Sequence, residues 1–166
     1  MEAMALLCDH AVVSPGDNKL FINGANINRV YTPALEPPMP VNVYLAIVVT
    51  IPWQATNQRH RLTLELLYEG SESGAQRVQL VPELVPGQPP EDLGLLVAEF
   101  NAGRSPDMAS GEQTLLPIAI PFVGLPVPGQ GAYFFDGKID GSEVFRVPFR
   151  VDVMNFGMAQ PFPRSA

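Results

Sequence analysis

Charged side chains are scarce in this chain. They make up 16% of its 166 residues, against roughly a quarter in an average soluble domain. Charge keeps an exterior wetted, so the deficit implies that part of the surface is covered by a partner protein or by a second copy. The cations are scattered without a basic stripe and the formal net charge is -7, which removes the counterion release that drives nucleic-acid binding. The same balance repels an anionic membrane surface, and no apolar stretch approaches the roughly 20 residues that span a bilayer. Neither nucleic acid nor membrane is an expected partner.

Cysteine is nearly absent as well. The single Cys8 cannot close an internal disulfide, and no Asn-x-Ser/Thr glycosylation acceptor occurs, which fits a reducing interior. Met1-Glu2-Ala3-Met4 has an acid where an export signal has its basic region, and Asp9 soon interrupts the apolar run. The expectation is a soluble cytoplasmic protein.

Catalytic furniture is equally thin. His10 and His60 are the two histidines, and no Gly-x-Ser-x-Gly elbow accompanies them, so a hydrolytic triad has no placed nucleophile. A hydrolase would have to use Cys8 with His10 or His60 as base, against the tendency of an unactivated cysteine to be buried as a small apolar group. Zinc held by Asp9, His10 and His60 would lack a fourth ligand. Asp136-Gly137-Lys138-Ile139-Asp140-Gly141 brushes against a calcium loop, but Lys138 stands at a ligand position and the closing Glu is missing; Asp136 reads instead as a solvent-facing strand residue. No phosphate cradle of the Walker or dinucleotide type is present. No enzyme activity, metal or cofactor is expected, and the many glutamates, Glu65 and Glu99 among them, read as solvating charge.

What is present is alternation. Helical periodicity is nearly missing, whereas apolar runs bounded by Gly, Pro, Asn and Asp recur and predict about eight strands in an antiparallel sandwich, immunoglobulin-like or jelly-roll. Ala5–Val13 and Lys19–Val30 form a hairpin across Ser14-Pro15-Gly16-Asp17-Asn18, with Gly24 marking a bulge or a close backbone approach in a weak second strand. Thr32–Pro40, with four prolines, is a crossing loop. Val41, Val43, Leu45, Ile47, Val49 and Ile51 share one parity and predict a central strand. Pro52–Gln58 breaks the chain, with room for a single helical turn, before Leu62, Leu64, Leu66 and Tyr68 resume the alternation. Short strands at 76–81 and 95–100 flank a proline-rich link. Pro117 and Pro121 place the strand 113–123 at a sheet edge or a bulge. Asp140-Gly141 between alternating runs is a strong hairpin signal, because both central residues need positive φ; Phe145, Val147, Phe149, Val151 and Val153 face in from its second strand. Residues 1–154 form one domain, and 155–166 a tail.

Three places could supply an interaction surface. Trp53 with Asn57, Arg59 and His60 joins an aromatic to amide and cationic groups, as carbohydrate and peptide sites do; the alternative has Trp53 plugging one end of the sandwich. The loop after Asn101 presents Arg104. The tail carries Phe156, Met158 and Phe162, an apolar set suited to docking on a neighbour.

The chain resembles a family of small bacterial proteins catalogued as a domain of unknown function. The resemblance lies in Cys8-Asp9-His10-Ala11, Gly24, Ile51-Pro52-Trp53 with Asn57-x-x-His60, Glu99-Phe100-Asn101-x-Gly103-Arg104, Pro128-Gly129-x-x-x-Tyr133 and Pro148-Phe149-Arg150-Val151. Where the family has an aromatic a few positions after Gly24, this chain has Asn26 and Ile27, so no role carries over there. The resemblance implies a compact β-sandwich and no activity. The expected function is a non-catalytic interaction or assembly module whose partner is protein, a second copy of itself foremost; the alternative is a carbohydrate- or peptide-binding sandwich using the Trp53 loop.

Overall fold

Alternating apolar and polar residues place the strands of this protein, and the pairing of those strands decides which faces meet. The computed structural model describes residues 1–70, 74–80 and 94–154, which hold ten strands and no α-helix. They are β1 (Glu2–Val13), β2 (Leu20–Ala25), β3 (Arg29–Thr32), β4 (Met39–Pro52), β5 (Arg59–Tyr68), β6 (Gln76–Val78), β7 (Leu95–Asn101), β8 (Gln113–Val127), β9 (Gly131–Ile139) and β10 (Ser142–Val153). A four-stranded sheet runs β2-β1-β4-β8, and a six-stranded sheet runs β3-β10-β9-β5, with β6 and β7 both along the outer edge of β5. The chain is an all-β sandwich.

Ten strands rather than eight arise chiefly because the run 19–30 is not one strand. Asn26, at φ +72°, turns the chain out of β2, and β3 then joins the opposite sheet, parallel to β10. That parallel pair is the exception to the antiparallel expectation. Strand order also separates the two topologies left open above. An immunoglobulin sandwich orders one sheet A-B-E and the other C-F-G; here β1, β4 and β8 stand in the first order and β5, β9 and β10 in the second. Tyr133, near the start of β9, donates its hydroxyl to the Gly129 carbonyl at 2.5 Å, as the tyrosine corner of such sandwiches does. Burial pushes that phenol up to about 12, against the Gly129 hydrogen bond.

The core is the one the alternation predicts. Val41, Val43, Leu45, Ile47, Val49 and Ile51 from β4 meet Leu62, Leu64 and Leu66 from β5. Stacked rings of Tyr68, Tyr133, Phe149, Phe135 and Phe122, with centroids 4.7–5.6 Å apart, run through it. Among the described residues β8 pairs with β4 alone, so its prolines lie at a sheet edge as expected. β2 is largely exposed, and a Cβ on its Gly24, at φ +64°, would collide with the Asp9 carboxylate, which is the close approach the sequence suggested. A register shift between Glu143 and Phe145 turns Val144, an outward position by parity, partly against the core.

Candidate functional site

At one end of the sandwich the structure gathers four of the five loop residues singled out from sequence. Pro52 ends β4, and a 3-10 turn at Trp53–Ala55 follows, the single helical turn expected there. The Arg104 guanidinium lies 3.6 Å over the indole of Trp53. Its Nε donates to Thr56 Oγ1 and its Nη2 to the Trp53 carbonyl, each at 2.8 Å. Asn57, at φ +59°, accepts the Arg104 amide with its Oδ1 and donates its own amide to Ala102. Arg59 is not part of this knot: it stands on the surface, 3.4 Å from Glu99.

His60 is held beside it. Only 5% exposed, it reaches Asp140 Oδ2 at 2.8 Å through Nδ1 and the Ala55 carbonyl at 2.7 Å through Nε2. Both partners are acceptors, an arrangement that favours a ring with both nitrogens protonated. Burial opposes that charge, but the Ala55 carbonyl and the Asp140 carboxylate outweigh it and raise the pKa. Asp140, at φ +52°, is at the same time the first residue of the β9–β10 turn, and its Oδ1 accepts the Arg61 amide. Sequence reading assigned Asp140 to the turn alone; a partner 80 residues away leaves no local signal. The half-buried Trp53 has one face under Arg104, and the knot's cationic groups are turned onto its own carbonyls and hydroxyl. What this arrangement does chemically is tie the β4–β5 connection to the loop after β7 and to the β9–β10 turn.

The residues considered for nucleophilic or zinc chemistry are not brought together. Cys8, Asp9 and His10 lie on β1 in one sheet, and His60 on β5 in the other. Cys8 is fully buried, its Sγ 3.6 Å from the Tyr44 carbonyl; burial first, then the neighbouring Asp9 carboxylate, raises the thiol pKa. Exposed His10 lies tilted against Tyr44, with ring centroids 4.9 Å apart. Among the described residues no three of His, Cys, Asp and Glu come close enough together to hold a metal ion.

The two outer faces of the sandwich differ sharply. On the six-stranded sheet, Glu65 is 7% and Asp136 4% exposed, contrary to the expectation that they are solvating charges. They lie directly opposite one another on β5 and β9. Glu65 accepts from Arg77 at 2.7 and 2.9 Å and from Lys138 at 2.9 Å, while Arg146 reaches Asp136 at 3.2 and 3.3 Å with its guanidinium 4.4 Å from the Phe134 ring. The cationic side chains roof the carboxylates with their stems. Burial works against the Glu65 carboxylate, yet Lys138 and Arg77 hold its pKa below the ordinary value.

The outer face of the four-stranded sheet carries almost no charge. Cross-strand register sets Glu2, Thr50 and Leu115 in one row, Met4, Val48 and Pro117 in the next, then Leu6, Ala46 and Ala119, then Cys8, Tyr44 and Pro121. Of these twelve positions only Glu2, at a corner, is charged. Met4 is 65% and Leu115 59% exposed. Cys8 and Ala46 are buried there in a small cluster with Leu6, Tyr44 and Ala119, so the exposed apolar surface gathers around Met4 and Leu115, the kind of patch that on a monomer is often an interaction site. Sequence reading missed this face because β4 was judged by its inward parity alone. Ala46 and Val48 on the other parity make the run from Val43 to Val49 nearly continuous, the signature of a strand covered on both sides.

Comparison with known families fits this architecture. A model for a family of unknown function, DUF6941, matches residues 3–152. The chain belongs to DUF6941. The match spans both sheets of the DUF6941 sandwich, from β1 to the end of β10. A search of curated proteins finds no match. Among the described residues no helix is long and apolar enough to cross a membrane. The tail residues Phe156, Met158 and Phe162, expected to form an interface, lie outside the described residues.

Proposed function

We propose that this DUF6941 chain is a non-catalytic assembly module that binds protein, its own kind foremost, through the outer face of its four-stranded sheet. Its place is a reducing compartment, the cytoplasm, in keeping with a lone cysteine buried as a thiol. One observation carries the reading: a sheet apolar on both faces, whose outer face leaves Met4 and Leu115 exposed. Burying the outer face is favourable at roughly 25 cal/mol per Å² of apolar surface, and no charge on it has to be desolvated except Glu2 at its corner. The charged face of the other sheet offers no rival, since its buried carboxylates already have their cations.

The test is the oligomeric state of the full chain by sedimentation velocity or mass photometry over a micromolar concentration series. Wild type is expected to associate reversibly. Met4→Glu combined with Val48→Glu, which sets two charges in one exposed row, is expected to hold the chain as a monomer with an unchanged circular dichroism spectrum. A wild-type monomer at every concentration sinks self-assembly.

A further inference from the structure

Resting on that reading, we infer that the second copy joins in the plane of the sheet, strand β1 against strand β1, about a twofold axis through Met4. The edges of the sandwich are not equal. β8 carries Pro117, Pro121 and Pro126, β10 carries Pro148, and β3 and β6 are four and three residues long; β2 and β7 are free of proline, but β2 is bent by Gly24 at positive φ and β7 carries the charge of Glu99, and short strands, prolines, backbone irregularities and charges are how edges are kept from pairing. β1 has no such guard over Ala3–Leu6. It pairs there with β4 on one side, while β2 begins to cover the other side only at Cys8.

The backbone groups on that open side can be named. Leu7 turns its carbonyl outward to the Ile27 amide, so strand alternation turns Ala5 and Ala3 outward too. The prolines of β8 agree. Pro117 and Pro121 cannot donate, which leaves the intervening residues to bond the odd positions of β4 and turns Val48 and Ala46 toward Met4 and Leu6. Ala3 and Ala5 therefore present two amides and two carbonyls to an edge that no described strand occupies.

That edge is complementary to itself. Antiparallel pairing centred on Met4 sets Ala3 opposite the partner's Ala5 and Ala5 opposite the partner's Ala3, which makes four backbone hydrogen bonds. Met4 then faces its symmetry mate as a non-hydrogen-bonded pair, the kind in which side chains approach most closely. Glu2 falls opposite Leu6, so no like charges meet. The segment Asn26–Asn28 ends the slot. A groove of about 380 Å³, walled by Ala5, Leu7, Asn26, Asn28, Arg146 and Pro148, lies beside it. Five residues of edge bury less than the roughly 1,000 Å² of a lasting interface, so the pair exchanges. It also sets two outer faces side by side in one eight-stranded sheet, the surface on which pairs stack.

Cysteine reporters in the full chain test this. In a Cys8→Ala background, Met4→Cys is expected to form a disulfide-linked dimer under mild oxidation, because the symmetry-related Cβ atoms of a non-hydrogen-bonded pair lie about 4.5 Å apart. Ala3→Pro removes two of the four intermolecular bonds but no bond to β4, and is expected to weaken association roughly ten- to thirty-fold without changing monomer unfolding. Cross-linking of Leu115→Cys in the absence of any Met4→Cys dimer overturns edge pairing and leaves face-to-face assembly standing. A monomeric wild type overturns both. A chain that dimerises only when cut after Met154 overturns the second copy as occupant, since its own tail then holds the edge.

Discussion

His60 shows how a single residue can be placed by groups that sequence cannot associate. It was legible as a polar member of a loop, but its orientation comes from Asp140 and Ala55 on other segments. The consequence is a pH dependence of definite sign. Its folded pKa is raised above the unfolded value of about 6.5, so its stabilising contribution is complete below that value and is lost as pH rises through the folded pKa. Asp140 sets the opposite limit: the Arg61 amide, then His60, lowers its carboxyl pKa, so its contribution is present above the unfolded value of about 3.9 and lost as pH falls through the folded one. Urea denaturation between these limits is expected to give the greatest stability, declining as pH rises through the folded pKa of His60. His60→Ala is expected to cost about 1–3 kcal/mol at pH 6 and to flatten that decline; an unchanged decline in the variant would assign it to another group.

At the scale of elements, alternation carried most of the fold. The inward parity of β4, the prolines of β8 and the Asp140-Gly141 turn each state a local rule that the structure obeys. Elements failed to be legible where a rule depends on a partner strand. The division of the run 19–30 depends on β10 capturing β3, and the burial of Glu65 depends on Arg77 and Lys138 arriving from β6 and β9. The β9–β10 hairpin offers a sharper case. Gly137 in β9 reads as a weak point in a strand, yet the Phe145 ring of the opposite strand lies over it, and a Cβ there would come within 2.6 Å of three ring atoms. Gly137→Ala is therefore expected to destabilise by about 1–3 kcal/mol through displacement of a core ring, whereas its helix and strand propensities alone argue for a gain. Thermal unfolding monitored by circular dichroism decides, and a raised midpoint would show that the ring moves at no cost.

On the scale of the molecule, the low charge fraction was readable in the sequence, but its distribution was not. Ig-type order could not be told from a jelly roll because both use the same alternating strands and differ only in long-range pairing. For the same reason nothing local announced that the interstrand ion clusters collect on the six-stranded sheet while the four-stranded sheet stays bare. This segregation fixes how association should answer to salt. Two copies each of net charge -7 repel one another over a distance that shrinks to about 8 Å at physiological ionic strength and about 3 Å at 1 M. Contact through β1 and the apolar face makes no ion pair that salt could weaken, so screening removes only the repulsion. Sedimentation equilibrium between 0.02 and about 0.5 M sodium chloride is accordingly expected to show dimerisation strengthening, or holding level, as salt rises. A dimer that falls apart over the same range would place the contact on the charged sheet, through Arg29, Arg146 or Arg150, and would refute the assignment of the bare one.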